Sequence, residues 1–225
     1  MMRTIPLVLA ASVALVYADE KGDVERLSRT AEVLQEIMQA PDNAVPQPLL
    51  DKAECVVVVP GVKKGAFIVG AKYGRGFFTC RKAGAGWSAP GGVRVEGGSV
   101  GFQIGGSETD VLMLVMNKRG ADRLLSSKFT LGGDASVAAG PVGRSATAET
   151  DAYMSAEILT WSRSRGVFAG LSLSGATLRQ DLDTNQNLYG KPLLNKQIIQ
   201  GDVKPPAAAA EFISLLNKYS SRKIR

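Results

Sequence analysis

The chain has 225 residues, 45% of them hydrophobic, with 27 lysines and arginines against 21 acids, a formal charge of +6 and no histidine. That length and apolar fraction suit one sizeable core and one domain. The absence of histidine removes the usual general base, the commonest metal ligand and the side chain that titrates near neutrality, so most hydrolase schemes lapse. The modest positive charge favours anionic partners such as lipid headgroups without requiring them.

The first eighteen residues read as a signal peptide. Met1 to Arg3 is a short charged start, Ile5 to Val16 an apolar stretch, and Val16-Tyr17-Ala18 a small-residue cleavage site before Asp19. The competing reading, a membrane anchor, needs about 20 apolar residues, more than this stretch has. Removing residues 1–18 leaves a charge of +5, and no cysteine follows the apolar stretch until Cys55, so the expected product is unlipidated and exported to the periplasm or beyond.

Val24, Leu27, Ala31, Leu34 and Met38 recur at helical spacing and predict an amphipathic helix over 23–39, ended by Pro41, Pro46 and Pro48. A short helix over 48–53 leads into the apolar, β-branched run Cys55 to Pro60, which reads as a buried strand closed by a turn at Gly61. Further strands are expected over 66–73, 76–81, 98–104 and 111–117, separated by turns of hairpin length. A helix over 118–127 interrupts the sheet. Strands resume over 135–142, 152–161, 167–174 and 177–181, and helices over 193–199 and 206–219 close the chain, the last with an apolar face of Phe212, Leu215, Leu216 and Tyr219. The sum is a single α+β domain over 19–225, a curved, glycine-rich antiparallel sheet, open or barrel-like, covered by helices from both ends.

On this meander Cys55 and Cys80 fall on the first and third strands. Strands flanking a common neighbour sit about 9–10 Å apart, and a disulfide needs Cα atoms within about 7 Å. Two reduced, buried cysteines are therefore expected, unless the strand order differs from the sequence order.

The most distinctive stretch is Phe129 to Arg144, where small residues dominate and Asp134 and Arg144 are the only charges. Together with Gly86-Trp-Ser-Ala-Pro90, Gly97-Gly-Ser-Val-Gly-Phe-Gln-Ile-Gly105 and Ser162-Arg-Ser-Arg-Gly-Val-Phe-Ala-Gly170, it resembles the SYLF domain family over roughly 27–216. The resemblance implies binding of anionic phospholipids, phosphoinositides in eukaryotic relatives, some of which also engage actin. Lipid binding alone is carried over, since an exported protein meets neither phosphoinositides nor actin routinely. An envelope protein-interaction or scaffold module is the alternative, with a protein partner in place of a lipid. No cofactor and no nucleic acid is expected.

Chemistry-bearing motifs are few. Gly97-Gly-Ser-Val-Gly101 matches G-x-S-x-G, but that nucleophile pattern needs a strand-to-helix turn and a histidine, whereas here it runs into a strand. Asp181-Leu-Asp-Thr-Asn185 begins like a calcium loop, yet Gln186 stands where glycine is needed and Pro192 where the bidentate acid belongs, so a helix N-cap or turn is the simpler account. Asp134 reads as a turn carboxylate accepting backbone N–H bonds, or as a partner of Arg144, and Trp87 as a side chain packed on the sheet.

The remaining site candidates are basic. Lys63, Lys64, Lys72, Arg75, Arg163 and Arg165 lie at or near turns, as does the pair Arg81-Lys82. If those turns converge at one end of the sheet they make a headgroup-binding rim, each charge contributing about 1 kcal/mol near an anionic surface. If they point to opposite ends they are ordinary solvated charges. The basic tail Lys218, Arg222, Lys223 and Arg225 follows an amphipathic helix that could lie on a membrane or pack on the sheet.

Overall fold

The computed structural model describes residues 6–40, 45–66, 69–83, 86–100, 105–141, 155–164, 167–170, 173 and 175–220. Its central strand, β1 (Cys55–Ala66), begins with five consecutive apolar residues that are each no more than 1% exposed. A strand alternates its side chains between two faces, so such a run must be covered on both. Val56 and Val58 face one core and Cys55, Val57 and Val59 the other.

Helices cover the first face. α1 (Pro6–Gln39) starts well before the amphipathic stretch read from the sequence, which forms its C-terminal half. Leu27, Ala31, Val33, Leu34 and Ile37 are buried there, while Val24, expected on the same apolar face, is exposed. α2 (Gln47–Lys52) adds Leu49 and Leu50, and α6 (Ala210–Tyr219), after a 3-10 turn over Ala207–Ala209, adds Phe212 and Leu216. The C-terminal helix therefore packs on α1 and the sheet. No helix among the described residues is long and apolar enough to cross a membrane.

The sheet itself covers the second face by curling. β2 (Val69–Cys80), β3 (Gly91–Val100), β4 (Gly105–Val115), β5 (Lys128–Thr130), β6 (Val137–Ala139), β7 (Ile158–Ser164), β8 (Val167–Gly170) and β9 (Thr177–Gln180) join β1 in the order β5-β9-β3-β2-β1-β4-β7-β6, with β8 also on β7. The edge strands β5 and β6 are neighbours in sequence, and a bridge between Leu131 and Ala135 ties the segment between them. Phe129, Leu131 and Ala135 thus meet Val57, Val93, Val111 and Leu178 inside the curl, with Leu124 of α3 (Lys118–Leu124) and Ile199 of α5 (Asn195–Gln200). This is the expected α+β class, a half-barrel with helices from both termini. Among the described residues all strand pairs are antiparallel except β6 with β7.

The expectation of free cysteines is corrected, because Cys55 and Cys80 form a disulfide. The error lay in the strand count. Gly61 is a bulge within β1, not a turn: the β1–β2 register shifts between Val58 and Lys63, Gly61 has φ +58°, and its N–H donates to Asp110 Oδ1 at 2.9 Å. Where two strands were expected, over 66–73 and 76–81, residues 69–80 form the single strand β2, Ala66 ends β1, and 67–68 lie outside the described residues. β2 continues through Gly76 because a Cβ there would lie 2.2 Å from the Val58 carbonyl oxygen, an approach that glycine alone permits. Cys80 then stands directly opposite Cys55, with Cα atoms 4.0 Å apart.

Other boundaries moved less. β3 begins seven residues before the expected Gly98, and β4 six before Val111. The short β5 and the helix α4 (Leu182–Tyr189) were not foreseen, though Asp181 does cap α4 by accepting from Thr184 N–H. The expected ends 101–104, 142 and 152–154 lie outside the described residues.

The disulfide closes a segment of 25 residues. Denaturing alkylation without reduction is expected to label no thiol, and to label two after reduction. Replacing both cysteines with serine is expected to lower unfolding free energy by about 2–4 kcal/mol in urea titrations, since the cross-link limits the unfolded chain.

Candidate functional site

Strand pairing decides where the basic turns lie. Ala66 pairs with Gly70 and with Gly105, Val69 pairs with Val100, and Ser164 pairs with Val167 beside the Asp110–Arg163 pair. The β1–β2, β3–β4 and β7–β8 ends therefore share one end of the sheet. Lys63, Lys64, Lys72 and Arg163 are at that end, and Arg165 lies outside the described residues. Arg81 and Lys82 are at the other end, next to the disulfide.

Although they share an end, these residues do not share a face. Beyond the Gly61 bulge, Lys63 turns to the helix-bearing face, opposite Tyr73 on β2 and Glu108 on β4. Arg75 and Arg163 are on that face too, and each is occupied. Arg75 Nε donates to Asp181 Oδ2 at 2.5 Å and its Nη2 to Thr184 Oγ1 at 2.8 Å, with Asp23 of α1 at 4.0 Å. Asp23, fully buried, also accepts from Arg26, Thr184 Oγ1 and Asn187 Nδ2. Arg163 holds Asp110 at 2.7 Å and reaches Glu36 of α1. Lys64 and Lys72 turn to the inner face, directly opposite one another.

The electrostatics agree. Burial alone would raise the Asp181 carboxyl, but the hydrogen bond and charge of Arg75, the Thr184 N–H and the charge of Arg94 outweigh it and hold it below the usual carboxylate range. Burial alone would lower the Arg75 and Arg163 guanidinium groups, yet Asp181 raises the first and Asp110 with Glu36 the second. Both arginines thus tie α1 and α4 to the sheet. The sequence offered no signal for these partners, since Asp181 is 106 residues from Arg75 and Asp110 is 53 from Arg163.

Arg81 has a comparable role. It donates to the carbonyls of Leu50, Asp51 and Ala53 at the end of α2 and to that of Ser220 after α6, and its guanidinium lies 4.3 Å from the Trp87 ring centroid. A cation at two helix C-termini is favourably placed. Trp87 is buried against the helix-side core, as read from the sequence. Lys82 pairs with Asp202 at 3.2 Å.

The remaining motifs are structural. Asp134 Oδ2 accepts from Thr130 N–H at 2.7 Å within the turn that follows β5. Ser99 sits within β3 opposite Gly70, not on a strand-to-helix turn. Among the described residues no group of three or more His, Cys, Asp or Glu could hold a metal. A groove of about 520 Å³ beside the disulfide is lined by Arg81, Lys82 and Lys118 but also by Glu54, Asp122 and Asp202, and a shallower one near α3 mixes Arg119, Arg123 and Lys128 with Asp122 and Asp134.

A family model described as "Las17-binding protein actin regulator" (Ysc84) matches residues 96–219. An SH3 domain-containing YSC84-like protein 1 from Rattus norvegicus is 32% identical over 200 residues, which is 86% of this chain and 58% of the relative. Protein YSC84 of Saccharomyces cerevisiae is 32% identical over 179 residues, 78% of this chain and 38% of the relative. An SH3 domain-containing protein of Schizosaccharomyces pombe is 35% identical over 177 residues, 77% of this chain and 41% of the relative. The chain thus matches about half or less of the length of these relatives, 58% at most.

The Asp181 pair carries a testable pH signature. A carboxyl held below its unfolded value, about 3.9, contributes stability that is fully present above that pH and is lost as pH falls through the folded value. Asp181→Asn is expected to cost about 3 kcal/mol at pH 7, because it removes the nearest counter-charge of a partly buried guanidinium and leaves it only Thr184 Oγ1 and the more distant Asp23. The difference from wild type should shrink below about pH 4 in denaturant titrations; a gap that stays constant into acid would show that the pair is not the source.

Proposed function

This chain belongs to the Ysc84 (SYLF) family, and from that premise we propose that it is a non-enzymatic, exported protein that binds anionic phospholipid surfaces. The observation that carries the reading is the convergence of three strand-pair ends, with Lys63, Lys64 and Lys72, at one end of the sheet. A rim fixed by paired strands presents its charges without the chain-ordering cost that a terminal tail incurs on docking. Arg75 and Arg163 do not belong to it, since both are engaged in ion pairs within the domain.

Export is supported by the charged start, the apolar stretch to Val16 and the small residue at Ala18, and the Cys55–Cys80 disulfide suits an oxidising compartment. The exported form is expected to begin at Asp19 by N-terminal sequencing; retention of Met1 to Ala18 would refute both cleavage and the soluble product.

A protein-interaction module is the second reading, favoured by the family description, which names a protein partner for its members. Sedimentation with vesicles separates the two. Lys63→Glu, Lys64→Glu and Lys72→Glu together are expected to weaken binding to anionic vesicles by more than about tenfold, at roughly 1 kcal/mol per charge. Lys218→Glu should change it little, and neutral vesicles should bind weakly. Raising the salt should weaken the attraction as screening shortens its reach. Indifference of the folded wild-type protein to anionic vesicles would favour the protein-partner reading instead.

A further inference from the structure

We propose that Arg94, Arg179 and Lys128 form a docking row for an acidic helix of a partner protein. This goes beyond the membrane-binding reading and does not depend on it. Arg75 on β2 stands opposite Arg94 on β3, Arg94 opposite Arg179 on β9, and Arg179 opposite Lys128 on the edge strand β5. Their chain neighbours Val93, Val95, Leu178 and Phe129 fill the inner core, so the row lies on the outer, helix-bearing face. Like charges directly opposite in a ladder are destabilising. Arg75 escapes by pairing with Asp181. Arg94 does not: its Nε is buried without a hydrogen-bond partner, and it forms no ion pair among the described residues. Arg179 and Lys128 are exposed. Arg179 meets Glu96 at 3.4 Å in an exposed pair of the kind that contributes little, and Lys128 forms no ion pair among the described residues.

The chemistry of the row selects the partner. A buried polar atom without a partner is uncommon in a native fold, and a planar guanidinium matches a carboxylate through two parallel hydrogen bonds. Apolar side chains adjoin the Arg75 end of the row. Tyr73 is two residues from Arg75 on the same strand face, Leu182 follows Asp181 and Val24 follows Asp23, and these three are 46%, 40% and 37% exposed. A peptide segment with a line of acids and apolar residues at one end answers both features. It does not add as a strand, because the outer edge of β5 is taken by its own chain: Thr130 N–H donates to Asp134 Oδ2, the Thr130 carbonyl accepts the Asp134 N–H at 2.8 Å, and the Lys128 carbonyl accepts from Ser126 Oγ at 3.1 Å. The partner therefore lies on the face. From Arg94 to Lys128 is two strand separations, about 10 Å. Carboxylates one turn apart on a helix advance about 11 Å over two turns, whereas same-side residues of an extended peptide advance about 13 Å over two steps. A helix laid across the strands is the closer match.

The probe is a fluorescent alanine-based peptide of about 18 residues, long enough to be helical in isolation, with glutamates at i, i+4 and i+7 and two leucines one turn before the first. One control peptide has glutamine for each glutamate, and the other keeps the glutamates but spreads them around the helix. By fluorescence anisotropy, wild type is expected to bind the matched peptide about fivefold or more tighter than either control. Arg94→Gln should weaken that binding about fivefold and Arg179→Gln or Lys128→Gln about twofold each, since water screens an exposed charge more than a half-buried one. Lys52→Gln, at the end of α2, should leave it unchanged. Arg94→Gln should unfold in urea at a midpoint no lower than wild type, because it removes a repulsion and no ion pair. A destabilised Arg94→Gln would show one more tie within the domain and overturn the proposal, as would equal binding of matched and control peptides, or matched-peptide binding that survives the triple substitution. Sedimentation with anionic vesicles completes the test. Vesicle binding that the triple variant keeps while losing the peptide supports a separate protein site; loss of vesicle binding with peptide binding kept assigns the row to the membrane and overturns it. Wild type that binds the matched peptide but ignores vesicles overturns the membrane reading alone, and wild type that binds vesicles but not the peptide overturns this proposal alone.

Discussion

The burial of β1 on both faces is the constraint from which the rest of the fold follows. Five apolar residues in succession admit no solvent-facing side, so the chain must supply a layer on each. α1, α2 and α6 provide one, from sequence positions far apart. For the other, the sheet curls until its own edge segments, Phe129 to Ala135, close over the inner core. A curl of this kind needs local breaks in regularity, which the Gly61 bulge and the close approach at Gly76 introduce in the middle of the two central strands.

That same bulge has consequences at both ends. Toward the disulfide it sets the register that puts Cys80 opposite Cys55; toward the strand-pair ends it reverses the parity of β1, so that Lys64 rather than Lys63 points inward. One extra residue therefore separates a lysine that faces Glu108 from a lysine that faces another lysine.

Most of the arginines at these positions hold the layers together. Arg75 joins β2 to α1 and α4, Arg163 joins β7 to β4 and α1, and Arg81 gathers the C-terminal ends of α2 and α6. The planar fork of arginine suits such multiple contacts, whereas lysine carries a compact, strongly hydrated charge suited to an open surface. These arginines act as ties within the domain.

The sequence by itself determined the elements whose signals are local. The period of α1 through Leu27, Ala31 and Leu34, the run at Cys55, the amphipathic α6, the capping role of Asp181 and the turn role of Asp134 were all legible, as was the family through its glycine-rich motifs. The convergence of the basic turns, their division between two faces, the partners of Arg75 and Arg163, and the disulfide were decided only by the tertiary structure. Each depends on register, and register here depends on one bulge. A glycine between two apolar runs reads locally as a turn or as a bulge alike, and the choice is made by what lies opposite: Asp110 accepting the Gly61 N–H, and the Val58 carbonyl against Gly76, are contacts across strands that no local pattern encodes.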